Sequence, residues 1–292
     1  MANNKLLVDE RQTEIGNFMV GRLLPFRKKR QVGHFTFIDH MGPNTLGNGH
    51  FMDVDQHPHT GLSTLSYLLE GEIEHRDSLG SVQLIKAGDV AFMTAGKAIS
   101  HTERTPDYLR KKQSFVMHGY QIWVALPRHL ENMDPRFDYY PASQIESWKQ
   151  DNLELKLLAG KAFGKSAELQ GYSPLFMVDI KAEEESVLNL AGKIKGEVAF
   201  VIVKGAIKSE NEKVEAGQML ISKTEDECEI KLEAKTQILI FGGEKLEYEP
   251  LLMWNFVSYS KEGLLKAKQN WIDKKFPKVP GDESYIAFPE RR

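Results

Sequence analysis

The sequence predicts an all-β protein: two copies of one β-barrel module, with a short helix near the C-terminus. Three observations carry that expectation. Runs of five to eight residues rich in Leu, Ile, Val, Phe and Tyr alternate with glycine-containing turns through both halves, the pattern of short strands. Glycines at 71, 80, 88 and 96 stand eight or nine residues apart, which suits an antiparallel sandwich or barrel rather than alternating strand and helix. The same order of strands and turns then occurs twice. "LSYLLEGEIEHRDSLGSVQLIKAGDVAFM" (65–93) is similar to "VAFVIVKGAIKSENEKVEAGQMLIS" (198–222), with Gly71 aligned to Gly205 and Ala87-Gly88 to Ala216-Gly217.

Along the chain, the basic run Arg27-Lys28-Lys29-Arg30 is expected in a solvated loop. His34 and His40 flank "FTFID" and are expected to hydrogen-bond at strand ends. "LSTLSYLL" at 62–69 is a strand, after which Glu70, Glu72 and Glu74 alternate as on a solvated strand face. His75, beside Arg76 and Asp77, is expected to be exposed at a turn, and His118 opens the strand "HGYQIWVAL" as a neighbour of the site or a core residue. Two prolines in "MDPRFDYYPASQIESWKQDN" break the strand rhythm. The boundary is therefore placed near 130–150, giving a first domain over 1–135 and a second over 150–292 that carries the helix and tail. The helix is expected over 260–272, capped by Ser260, with Leu264, Leu265, Lys268 and Ile272 on a partly apolar face. The tail "FPKVPGDESYIAFPERR" has three prolines and is expected to lie extended on the surface.

Composition narrows the function classes. The 292 residues are 41% hydrophobic and 27% charged, with a net charge of −3, ordinary for a soluble globular protein. There is no basic stripe to track phosphates, so direct nucleic-acid binding is not expected. Cys228 is the only cysteine, which rules out an intramolecular disulfide and a thiolate metal cluster and fits a reducing compartment; it is read as a small structural side chain. The first 30 residues contain no continuous apolar core of signal-peptide length. No segment approaches the roughly 18 apolar residues of a membrane span, so a cytoplasmic protein is expected.

All nine histidines fall at or before position 129: 34, 40, 50, 57, 59, 75, 101, 118 and 129. Only the first module can then hold a histidine-ligated metal, and the second is expected to be structural, or a lid and interface partner. In "DQHPHTG" His57 and His59 stand two apart, on one face of an extended strand, and Pro58 suits a sheet edge or strand start. If the strand continued past Gly61, the same face would present Leu65, Tyr67 and Leu69 as an apolar wall. In "GKAISHTERTP" a second pair, His101 and Glu103, has the same spacing and lies 42 residues after His59. Three neutral imidazoles and one carboxylate suit Fe(II), Mn(II), Ni(II), Cu(II) or Zn. On an octahedral ion four such ligands leave two positions open. No G-x-S-x-G, Gly-rich phosphate loop or H-E-x-x-H competes.

These residues resemble a known family. "VGHFTFIDHMGP", "DQHPHTG", "YLLEGEIEHRDSLG", "AGDVAFMTAGKAISHTE" and "HGYQIWVALP" are similar to the pirins of the cupin superfamily, and "LLAGKAFG" and "FGGEKLEYEPLLMWNFVSYSKEGLLKA" to the second pirin domain. The resemblance implies two stacked cupin barrels of jelly-roll type, with metal in the first only, held by His57, His59, His101 and Glu103. It implies iron as the usual metal. It implies either quercetin 2,3-dioxygenase-like activity on a small polyphenol, with Glu103 also serving as a base, or a metal-dependent regulatory module that meets a protein partner. One departure stands out: pirins often carry a glutamate where this chain has Ser63, and an arginine where it has Thr60. The loss of a charge near the metal is expected to bear on activity more than on metal binding.

Overall fold

A computed structural model of the chain describes residues 5–15, 18–209, 212–222 and 229–290; Cys228 lies outside the described residues. The protein is all-β, and the one α-helix among the described residues is Lys261–Ile272. No helix among them is long and apolar enough to cross a membrane. The chain folds into two compact units, one of residues 12–20, 38–142 and 247–292, the other of 1–11, 21–37 and 143–246.

In the first unit a four-stranded sheet runs in the order Asp53–His59, Ile99–Arg104, Glu72–Asp77, Val82–Lys86. A seven-stranded sheet runs Arg136–Tyr140, Val90–Thr94, Leu62–Glu70, Phe115–Ala125, Phe35–Leu46, Phe18–Leu24, Arg11–Ile15. Leu68, Ala91, Met117 and Met41 from the larger sheet and Val54, Ile73 and Ile85 from the smaller close one core. In the second unit an eight-stranded sheet contributes Leu155, Phe176, Val178, Phe200, Leu220 and Ile240, and a four-stranded sheet contributes Leu188, Ile207, Val214, Ile230 and Leu232, to a second core. Each unit is thus a sandwich of a large and a small sheet, as expected of the cupin jelly roll.

The repeat read in the sequence has a structural meaning. In the first unit the chain leaves the large sheet at Glu70 and enters the small one at Glu72; in the second it leaves at Lys204 and enters at Ala206. The residues between are Gly71 and Gly205, with φ of +83° and +76°, a region costly for any residue with a Cβ. Ala87-Gly88 and Ala216-Gly217 mark the two returns to the large sheets.

Two local expectations differ from the structure. First, the units are not contiguous halves. Lys5–Asp9 pairs antiparallel with Gln218–Ser222, and the helix belongs to the first unit, where its Leu264, Ala267 and Trp271 pack with Phe256, Phe276 and Ala98. Second, the buried face of the helix is this Leu264–Ala267–Trp271 stripe, while Leu265 and Ile272 are 60% and 46% exposed. Ser260 does cap it, its Oγ accepting from the Gly263 N–H at 3.0 Å. The tail lies at the surface without regular secondary structure, as expected, and it is fastened there. The Gln56 backbone N–H donates to Ser284 Oγ (3.1 Å) and its carbonyl accepts from the Ile286 N–H (2.9 Å), while its amide donates to the Ser284 carbonyl (3.1 Å) and accepts from the Val279 N–H (2.6 Å). In the basic run, Arg27, Lys28 and Arg30 are exposed as expected, but Lys29 pairs with the buried carboxylate of Glu197 at 2.6 Å.

Candidate metal centre

His57 and His59 lie on the outermost strand of the four-stranded sheet, and His101 and Glu103 on the strand beside it. The pairing is antiparallel, with His101 opposite His57 and Ile99 opposite His59. Directly opposed residues share a face, so hydrogen-bond register alone brings the two sequence pairs side by side. Gly61, at φ +70°, ends the run: a Cβ there would lie 2.1 Å from the Val257 carbonyl oxygen, and the chain crosses into the larger sheet.

The three imidazoles are packed together, with ring centroids 4.2 Å apart for His57–His101, 5.0 Å for His59–His101 and 5.2 Å for His57–His59. One ligand atom from each lies within 4.8 Å of the others. All three rings are buried, with 7%, 1% and 0% exposure for His57, His59 and His101. Burial drives their basicity down, the His57 pKa to about 4 despite the Asp55 carbonyl, and those of His59 and His101 well below the ordinary value, with neighbouring imidazoles adding to the effect. They are neutral at physiological pH and each keeps a lone pair. His57 Nδ1 donates to the Asp55 carbonyl at 2.8 Å, leaving Nε2 as its acceptor. Nε2 of His101 is buried without a hydrogen-bond partner, and the buried His59 ring has only the Asn255 backbone to bond to. Unpartnered buried polar atoms are rare and need an explanation; three neutral imidazoles with ligand atoms this close fit a divalent transition metal.

Glu103 stands outside this cluster of mutually close ligand atoms. The register slips between His101 and Glu103, which pair with His57 and Val54, so the facing strand carries one extra residue there. Glu103 Oε1 accepts from Gln121 Nε2 at 3.1 Å, and Gln121 Oε1 accepts from Ser66 Oγ at 2.6 Å. Burial pushes the Glu103 carboxyl up, against the pull of His75, Gln121 and Ser66. Trp123 closes one side, its indole edge-on to His59 at 5.1 Å between centroids.

The sequence reading misses the residues behind the ligands. His75, expected in solvent, is 3% exposed; it stacks on Phe137 at 4.4 Å and lies opposite Glu103 in the register. His75 and Asp77 repeat the i, i+2 spacing of the two ligand pairs, and that was the available signal. The apolar wall is also different. Gln121 and Trp123 sit opposite Ser66 and Thr64, so the even-numbered residues share the site's face, and Leu65 and Tyr67 turn to the other. Ser63 is on that other face too, opposite Val124 and 3.1 Å from Thr94 Oγ1; its identity removes no charge from beside the histidines. His118 bonds to His40, Nε2 to Nε2 at 2.9 Å, and not to the cluster.

The chain is similar to known proteins. A family profile described as Pirin matches residues 17–124, and one described as the Pirin C-terminal cupin domain matches 177–277. A pirin-like protein of Caulobacter vibrioides is 38% identical over 290 residues, 98% of this chain and 99% of that one. The crystal structure of a quercetin 2,3-dioxygenase from Acinetobacter baumannii, 33% identical, superposes with a TM-score of 0.89 over 99% of this chain and 96% of that chain. A second quercetin 2,3-dioxygenase structure from that organism, 24% identical, shares the fold at a TM-score of 0.83, over 94% of this chain and 98% of that one.

Proposed function

The chain belongs to the pirin family, and from that premise we propose that it is a metal-dependent oxygenase of the quercetin 2,3-dioxygenase type, acting on a small polyphenol. The observation that carries the reading is the trio of buried, neutral imidazoles, each with a ligand atom within 4.8 Å of the others. The likeness to a quercetin 2,3-dioxygenase at 33% identity supports the reaction class. His57, His59 and His101 would hold the ion, with Glu103 as the fourth ligand and Fe(II) as the first choice among the metals that suit such a set. When bound, such an ion supplies Lewis acidity toward a substrate hydroxyl and one-electron redox chemistry.

The chain's own residues do the rest. Trp123, near-perpendicular to His59 at 5.1 Å, offers an aromatic surface for a planar ring to pack against. Gln121 holds one oxygen of Glu103, leaving the other to take the proton of a substrate hydroxyl. The burial of all four side chains keeps bulk water from the reacting groups. The test is aerobic turnover of quercetin by the iron-loaded protein, followed as loss of flavonol absorbance, with His101→Ala as control. Turnover above that of free iron, abolished in the variant, is expected. Turnover no faster than free iron would reject the reading and leave a metal-bound regulatory module in its place.

A further inference from the structure

Behind His101 stands a chain of polar groups that the ligand set does not use. Asp77 is fully buried. Its Oδ1 accepts the backbone N–H groups of Leu79 (2.9 Å) and Ser81 (3.1 Å). Its Oδ2 lies 3.1 Å from His75 Nε2. The other nitrogen of that ring, Nδ1, lies 3.4 Å from His101 Nδ1, and Nε2 of His101 is buried with no partner. Register fixes the arrangement, because His101 sits opposite Asp77 and Glu103 opposite His75 on adjacent strands.

We propose that Asp77 and His75 are positioning residues that set the tautomer of His101. The argument is one of donors and acceptors. An ionised carboxylate can only accept. Asp77 Oδ2 therefore accepts the N–H of His75 Nε2, which in the neutral ring leaves His75 Nδ1 as an acceptor. His75 Nδ1 in turn takes the Nδ1–H of His101. The remaining His101 nitrogen, Nε2, is then bare, on a ring packed 4.2 and 5.0 Å from those of His57 and His59. One carboxylate thus dictates the state of two rings in series. Phe137, stacked on His75 at 4.4 Å and 10°, holds the middle ring in plane. This inference rests on the reading of His101 as a metal ligand.

The decisive variant is Asp77→Asn, which keeps nearly the same shape. Two backbone donors already claim the Oδ1 position, so the amide oxygen stays with them and the NH2 group faces His75. His75 must then accept at Nε2 and donate from Nδ1, and His101 must accept at Nδ1 and carry its proton on Nε2. The variant places a proton on the atom meant for the metal.

The experiment reads imidazole nitrogen shifts by long-range 15N–1H correlation in metal-free, 15N-histidine-labelled protein, together with Co(II) affinity by chelator competition. In the parent protein His75 is expected as the Nε2–H tautomer and His101 as the Nδ1–H tautomer. In Asp77→Asn both are expected to reverse, and Co(II) affinity to fall about 10- to 100-fold. A parent protein with His101 protonated on Nε2, or a folded Asp77→Asn with unchanged tautomers and affinity, overturns the proposal. Should the variant not fold, the tautomers of the parent protein decide alone. The stated tautomers in a parent protein that takes up no Co(II) would support the relay and count instead against the metal-dependent oxygenase.

Discussion

At Glu103 the controlling neighbour is uncharged. The carboxylate is held by the Gln121 amide, and the Gln121 amide is turned by the Ser66 hydroxyl. Gln121→Met, close in volume, removes the amide donor. A buried acceptor left without its donor costs about 1–3 kcal/mol, and the lower end is expected because Ser66 still interacts with Glu103. Urea denaturation of the metal-free variant checks this, and unchanged stability would mean that Glu103 finds another donor. A second buried pair lies away from the metal ligands. Burial, and then the facing His40, hold the His118 pKa down to about 4 from an ordinary 6.5. Between those values the unfolded chain binds a proton that the folded one refuses. The contribution is therefore whole above about pH 6.5 and is lost as pH falls toward about 4. His118→Gln is expected to flatten that limb of the stability–pH curve, and an equally steep limb would assign the acid sensitivity elsewhere.

At the level of elements, the turns between sheets are more legible than the faces that pack. Gly71 could be read from the sequence because a turn between sheets at positive φ leaves few choices of residue. A Cβ at that position would lie 2.5 Å from the Val116 carbonyl oxygen. Gly71→Ala is expected to cost more than about 1 kcal/mol, seen as a lower Tm. The helix bounds were equally plain from the Ser260 cap. Its buried face was not, because apolar side chains at 264, 265, 267, 271 and 272 leave several stripes open and only the partners at Phe256 and Phe276 choose among them. Trp271 is 2% exposed in that cluster, and Trp271→Ala is expected to cost about 3–5 kcal/mol. A loss under 1 kcal/mol in denaturant would remove the helix from the unit's stabilising core.

Across the whole molecule, the parts of the site that announce themselves are the ligand pairs, His57 with His59 and His101 with Glu103, since a spacing of two is visible within one strand. Behind them, His75 and Asp77 repeat that spacing within one strand, but the spacing does not say which strand they face. His75, Asp77, Gln121 and Ser66 become neighbours of the site only through the register of separate strands. That register depends on long-range pairing that no local pattern encodes. The same limit explains the interleaved units, in which the first strand joins the second unit and the last helix the first. Because the three imidazoles are already neutral and gathered, metal uptake should couple to global stability. A ligand at 100 times its Kd adds about 2.7 kcal/mol. Co(II) should therefore raise the Tm of the parent protein and leave His101→Ala unmoved; a rise in both would place the ion elsewhere.

The fastening of the tail through Gln56 has a consequence beyond the monomer. The strand that carries His57 and His59 ends its sheet, and an uncovered sheet margin is a template on which a second chain can build. By occupying the N–H and carbonyl of Gln56, the last residues act as a guard against self-association. A chain cut short before Val279 would bare that margin and should be prone to pile up into β-rich assemblies, even with every histidine in place.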